Sequence, residues 1–154
     1  MTPTLFVVTK TPALLAGMAF PPPKTDWPAL HRLGFDRVVR LHPADYDPAP
    51  LVAHDVPLED LYGGAEPRDP DVEQRRIWEA AQLAAEHVKG GEGVIVHCVG
   101  GTGRTGTVLA CALRQLGRSP DEAIETVRAH RPHWPESRWQ EIVVRSGRRR
   151  AAAT

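Results

Sequence analysis

Residues 97–106 read His-Cys-Val-Gly-Gly-Thr-Gly-Arg-Thr-Gly. The thiol of Cys98 and the guanidinium of Arg104 flank five residues, of which Gly100, Gly101 and Gly103 are glycine. Glycines let the backbone approach a ligand where a Cβ would obstruct it. If the segment joins a strand to a helix, successive backbone N–H groups turn inward at the positive end of the helix. Such a turn, Val99 to Arg104, is built to hold a dianion. The same N–H groups favour the thiolate of Cys98, and a thiolate is a ready nucleophile. A guanidinium can grip two oxygens of a tetrahedral anion at once, which an ammonium cannot.

Two other motifs match part of the turn. Gly101-x-Gly103-x-x-Gly106 satisfies a dinucleotide fingerprint, but that fingerprint needs a following strand with an acidic end. Here more helices follow. A Walker loop needs Lys after its last glycine, where this turn has Arg104. Cys111, the second of two cysteines, reads as a small buried hydrophobe on the apolar face of the next helix.

The run from His97 to Gly106 resembles the Cys-x5-Arg-Ser/Thr signature of the protein tyrosine phosphatase superfamily. Its Gly-Gly-x-Gly-Arg core is similar to that of the small dual-specificity-like branch, including kinase-associated phosphatase and bacterial and archaeal enzymes. The resemblance implies a hydrolase that passes through a phosphocysteine intermediate without cofactor or metal. It implies that Thr105 hydrogen-bonds the cysteine sulfur, that His97 orders the loop, and that Gln140 positions water, while a solvated Gln140 reads equally well. It also implies an aspartate upstream that protonates the leaving oxygen. The candidates are Asp55, Asp60, Asp69 and Asp71. Val56-Pro57-Leu58-Glu59-Asp60, followed by Gly63-Gly64, resembles the family arrangement, so Asp60 is the preferred acid. The separation from Asp60 to Cys98 is longer than the family's usual one and points nearer Asp69. Asp69 also reads as a helix N-cap.

The elements that must position this turn follow from local signals. Leu5–Val8 and Arg37–Leu41 read as strands, and residues 10–24 as loop. Asp26 caps a short helix, Trp27–Leu33, closed by Gly34. Residues 51–58 contain an extended segment. Asp69-Pro70 opens a helix to Lys89, with apolar residues at helical spacing. Val94–Val96 is a short apolar run, as in a central parallel strand. Helices are expected over Thr105–Leu116, from the capping box at Ser119 to His130, and over Pro135–Ser146. The expected architecture is α/β, a mostly parallel sheet flanked by helices, similar to the dual-specificity phosphatase fold.

A chain of 154 residues is one domain by default, here residues 1–147, with a basic, disordered tail over 148–154. Lys plus Arg and Asp plus Glu balance at 19 each, so no bulk charge points to nucleic acid or a membrane. Two cysteines make no disulfide framework, and a cytoplasmic monomer is expected. The seven histidines show no metal spacing. Members of the family that act on inositol phospholipids often carry Lys within the five loop residues; Val99–Gly103 contains none, so the resemblance implies a phosphorylated protein or peptide, chiefly phosphotyrosine with some phosphoserine/threonine. A phosphoinositide, another small-molecule phosphate or an RNA phosphate are alternatives. So is a non-catalytic phosphopeptide-binding module.

Overall fold

The computed structural model describes residues 3–61 and 63–152. A five-stranded sheet has the order β1-β2-β5-β3-β4. The strands are β1 (Phe6–Thr9), β2 (Leu15–Met18), β3 (Phe35–Arg40), β4 (Val52–Asp55) and β5 (Gly93–His97). Only the β1–β2 pair is antiparallel; β2–β5, β5–β3 and β3–β4 are parallel. The helices are α1 (Trp27–Leu33), α2 (Pro70–Lys89), α3 (Gly103–Gln115), α4 (Pro120–His130) and α5 (Arg138–Ala152). The expected α/β class with a mostly parallel sheet is therefore observed.

β5 lies at the centre of the sheet and is buried along its whole length. One face of the sheet packs under α2, α3, α4 and α5, joining Val94 and Val96 to Val108, Leu109 and Val144. The other face packs Ile95 and Val38 against Leu30 and Trp27 of α1. A strand buried on both faces needs no alternation, which is why Val94-Ile95-Val96 is continuously apolar. Burial of each such side chain stabilises the fold by roughly 1.5–3 kcal/mol.

Helix ends follow the sequence signals. The Asp26 carboxylate accepts from Ala29 N–H at 3.0 Å, and Gly34 closes α1 in the left-handed region. The Asp69 carboxylate accepts from Val72 N–H at 3.3 Å, and Ser119 and Glu122 form a capping box. Each cap is worth about 1 kcal/mol.

Three expectations need correction. Residues 10–24 are not all loop: β2 lies within them, next to the central strand. Its four residues, Leu15-Ala16-Gly17-Met18, lack β-branched side chains and are flanked by prolines, so nothing local marks them. Gly17 is needed there because a Cβ would lie 2.7 Å from Leu109 Cδ1. Secondly, α3 begins at Gly103, two residues before the expected start, so Arg104 belongs to the first helical turn. Thirdly, α5 starts at Arg138 rather than Pro135 and runs to Ala152. The basic tail expected over 148–154 overlaps the end of that helix, and its side chains lie outside the described residues. Residues 153–154 lie outside the described residues. Among the described residues, no helix is long and apolar enough to cross a membrane.

Candidate active site

The turn from β5 into α3 closes a pocket of about 510 Å³. Cys98, Val99, Gly100, Thr102, Gly103 and Arg104 form its floor, and Asp60, Leu61, Gly63, Gly64, Glu136 and Gln140 form its walls. Thr102 at the N-cap of α3 makes no side-chain capping bond. The pocket therefore faces the positive end of a long buried helix.

Cys98 is almost fully buried, and the Thr105 hydroxyl donates to its Sγ at 3.1 Å. Arg104 is equally enclosed and is held from behind. Its Nη1 donates to His42 Nδ1 at 3.1 Å and to the Leu58 carbonyl at 3.2 Å, and its Nη2 faces Asp60 Oδ2 at 3.4 Å. Because a guanidinium only donates, His42 Nδ1 presents a lone pair in this contact. The Leu58 carbonyl fixes the segment that carries Asp60, two residues on.

His97 does not line the pocket; it lies behind it. Its Nδ1 meets the Cys98 carbonyl at 3.0 Å, and its Nε2 meets the Tyr46 hydroxyl at 2.6 Å. A carbonyl oxygen can only accept, so Nδ1 carries the proton and Nε2 accepts from Tyr46. Burial lowers the His97 pKa from 6.5 to about 4, so the ring is neutral. Tyr46 in turn stacks on Trp27 with ring centroids 5.2 Å apart, and the Arg40 guanidinium lies over the Tyr46 ring at 4.9 Å. Arg40 also donates to the Tyr46 carbonyl at 2.8 Å and pairs with both Asp55 oxygens at 2.7 and 2.9 Å. The cysteine's carbonyl is thereby tied to the sheet through four successive side chains.

The glycines of the turn differ in what surrounds them. Gly101 has φ +74°, and a Cβ there would lie 2.7 Å from Ala19 N at the end of β2. It lies off the pocket surface, and its carbonyl accepts from Arg131 Nε at 3.1 Å. At Gly103 a Cβ would overlap Glu136 Oε1 and lie 3.2 Å from Gln140 Nε2. Gln140 is buried, and its Oε1 accepts from the Glu136 N–H at 2.8 Å.

Of the four acid candidates, Asp60 alone lines the pocket. The hydrogen bond from Arg40 holds the Asp55 carboxyl below its usual range and orients it away. Asp69 caps α2, and Asp71 lies in that helix's first turn. Glu136 and His42 were not singled out in the sequence. Neither sits at a motif position, and only the folded chain brings them to the turn. Partial burial, and then the charge of Asp60, push the Glu136 carboxyl above its ordinary range, while Arg104 pulls it back.

The family model for the DSP-PTPase phosphatase domain of Swiss Army Knife proteins matches residues 6–144. Tk-PTP, solved in its active form, is 26% identical, with a TM-score of 0.72 and coverage of 94% of this chain and 95% of that chain. Kinase-associated phosphatase is 19% identical, with a TM-score of 0.76 and coverage of 100% and 98%. The core catalytic domain of the PP-IP phosphatase SIW14 from S. cerevisiae is 17% identical, with a TM-score of 0.64 and coverage of 93% and 85%. The last two likenesses concern the fold alone. The chain belongs to the DSP-PTPase phosphatase family, the small dual-specificity-like branch of the protein tyrosine phosphatases, and with it to the cysteine phosphatases.

Proposed function

We propose that this cysteine phosphatase hydrolyses phosphotyrosine in proteins, and more slowly phosphoserine/threonine, through a phosphocysteine intermediate on Cys98. The observation that carries the reading is the buried Sγ under the Thr105 hydroxyl at 3.1 Å, on the floor of a pocket that also contains Arg104. Cys98 attacks phosphorus, and the bond to the ester oxygen breaks. Arg104 and the N–H groups of the turn hold the equatorial oxygens, where charge develops. Asp60, at the pocket wall, gives its proton to the leaving oxygen. Thr105 stabilises the sulfur when it later departs.

Two features support a singly phosphorylated substrate with an aromatic stem. Arg104 is the only Arg or Lys among the pocket residues described, and Asp60 and Glu136 oppose a second phosphate beside the first. Val99 is about half exposed at the mouth, where it offers apolar surface to a ring.

The test compares wild type with C98S in metal-free buffer containing chelator. Substrates are para-nitrophenyl phosphate, a phosphotyrosine peptide, a phosphoserine peptide and a short-chain phosphoinositide. Turnover by wild type alone, highest on the phosphotyrosine peptide, is expected. An inert wild type that still binds the phosphopeptide would make the chain a binding module. Preference for the phosphoinositide would overturn the protein substrate while leaving the chemistry intact.

A further inference from the structure

The buried face of α2 carries Ile77, Ala80, Ala81, Ala84 and Val88, and one turn earlier it is continued by Glu73. An apolar side chain is expected there, because a buried carboxylate costs free energy unless it is hydrogen-bonded. Glu73 is nevertheless only 7% exposed. Burial pushes its carboxyl above the ordinary range, while the Glu59 N–H and the charges of Arg76 and Arg104 pull it back. It does not line the pocket, and no step of the reaction uses it.

The partner of Glu73 gives the group its purpose. Helical side chains lean toward the N-terminus of their helix. Glu73 reaches out of the first turn of α2 and accepts from the Glu59 N–H at 2.7 Å. Glu59 immediately precedes Asp60. Along the extended segment that leads there, the Val56 and Leu58 N–H groups donate to the Arg40 and Leu41 carbonyls of the neighbouring chain at 3.0 and 2.9 Å. Successive N–H groups of an extended segment point to alternate sides, so that of Glu59 faces away from this neighbour. Glu73 is the acceptor it finds on that side. The Leu58 carbonyl is held by Arg104 at 3.2 Å, and the Glu59 carboxylate accepts from the Arg68 N–H at 3.1 Å. The backbone is thus fixed from two sides as far as the residue before Asp60.

We infer that Glu73 is a positioning residue for Asp60: by holding the Glu59 N–H from α2, it sets where the Asp60 carboxyl stands over the pocket. The inference rests on the reading of Asp60 as the acid given above. In that step the S–P bond forms, the P–O bond to the ester breaks, and the Asp60 proton passes to the departing oxygen. A misplaced acid slows the step in proportion to the leaving group's need for that proton.

Two substrates that differ only in this need provide the test. Phenolate, whose conjugate acid has a pKa of about 10 like that of tyrosine, leaves poorly without a proton, whereas p-nitrophenolate leaves readily. The quantity read is kcat/KM for phenyl phosphate divided by kcat/KM for para-nitrophenyl phosphate. E73M removes the acceptor at nearly constant shape, and E73Q keeps an oxygen in its place. The ratio is expected to fall about 10- to 100-fold in E73M and to stay close to wild type in E73Q. Both rates are measured on one sample, so unfolded enzyme cancels from the ratio, and a loss of stability alone leaves it unchanged. An E73M with the wild-type ratio would overturn the inference, as would an E73Q no better than E73M. D60N is the control, with an expected fall in the ratio of roughly 10²-fold or more. A D60N with the wild-type ratio would take the acid role from Asp60 and leave Glu73 nothing to position. A wild type inert on both substrates, or a C98S variant as active as wild type, would instead sink the phosphocysteine reading itself.

Discussion

Acid should destabilise this fold through one buried ring. His97 has no exposed surface, donates from Nδ1 to the Cys98 carbonyl and accepts at Nε2 from Tyr46. A second proton would have to displace the Tyr46 donor, in a buried site where the charge of Arg40 is unfavourable. The native ring therefore stays neutral until about pH 4, whereas the unfolded chain takes its proton near 6.5. Between those values the unfolded state binds more protons, so stability falls as pH falls. Above pH 6.5 both states are neutral and the effect vanishes. At 1.36 kcal/mol for each pKa unit the full interval is worth ~3 kcal/mol, and by pH 5 the loss amounts to about 2 kcal/mol. For a chain of this length that is a fall in Tm on the order of 4–8 °C.

Urea unfolding of wild type and H97N at pH 7.5 and pH 5.0 isolates the contribution, since the other titrating groups are common to both chains. H97N is expected to be the less stable at pH 7.5, because the Tyr46 hydroxyl and the Cys98 carbonyl lose their partner. The gap between the two should then narrow by about 2 kcal/mol at pH 5.0. A gap that stays the same at both pH values would refute the reasoning. The native ring would then accept its proton as readily as the unfolded chain, and the donor and acceptor roles assigned to its two nitrogens would be wrong.

Three further outcomes follow from the site. T105V removes the donor to Cys98 Sγ while keeping the side chain's shape, and should lower kcat about 10- to 100-fold with little change in Tm, as steady-state assays and melts would show. R104K keeps a charge but cannot span His42, the Leu58 carbonyl and a phosphate together; a loss in kcat/KM of roughly 10²–10³ on para-nitrophenyl phosphate is expected, and a smaller one would argue against bidentate anchoring. G101A puts a methyl 2.7 Å from Ala19 N on a residue at φ +74°, so a destabilisation of about 1–3 kcal/mol by urea titration is expected, with activity lost alongside.

The arrangement of the turn was legible because it is written contiguously. Cys98, Arg104 and Thr105 lie within one strand-to-helix connection, and the helix that follows them is apolar enough to be recognised. The place of Asp60 on the pocket wall follows from its neighbours in sequence, and the Asp69 carboxylate caps α2, as its position before Pro70 also suggests. What could not be read was supplied by distant chain. His42 reaches Arg104 across 62 positions, and Tyr46 reaches His97 across 51. No periodicity encodes such pairs; they exist because β3 and β5 are neighbours in the sheet, and their C-terminal ends open onto the same loops.

The glycines of the turn show how the unread elements bear on the read ones. A phosphate cradle explains all three by close approach of a ligand, yet the structure separates them. Gly101 is required by the protein itself, because the end of β2 passes beneath it. Gly103 is approached by Glu136 Oε1, the end of an exposed side chain that can move aside. Gly100 lines the pocket, and a Cβ on it would meet no protein atom within 4 Å. Gly100 and Gly103, which both line the pocket, are left to be explained by a bound anion. The strand that the sequence concealed is thus the reason for one of the glycines it displayed. The motif records the packing of its surroundings as much as the shape of its ligand.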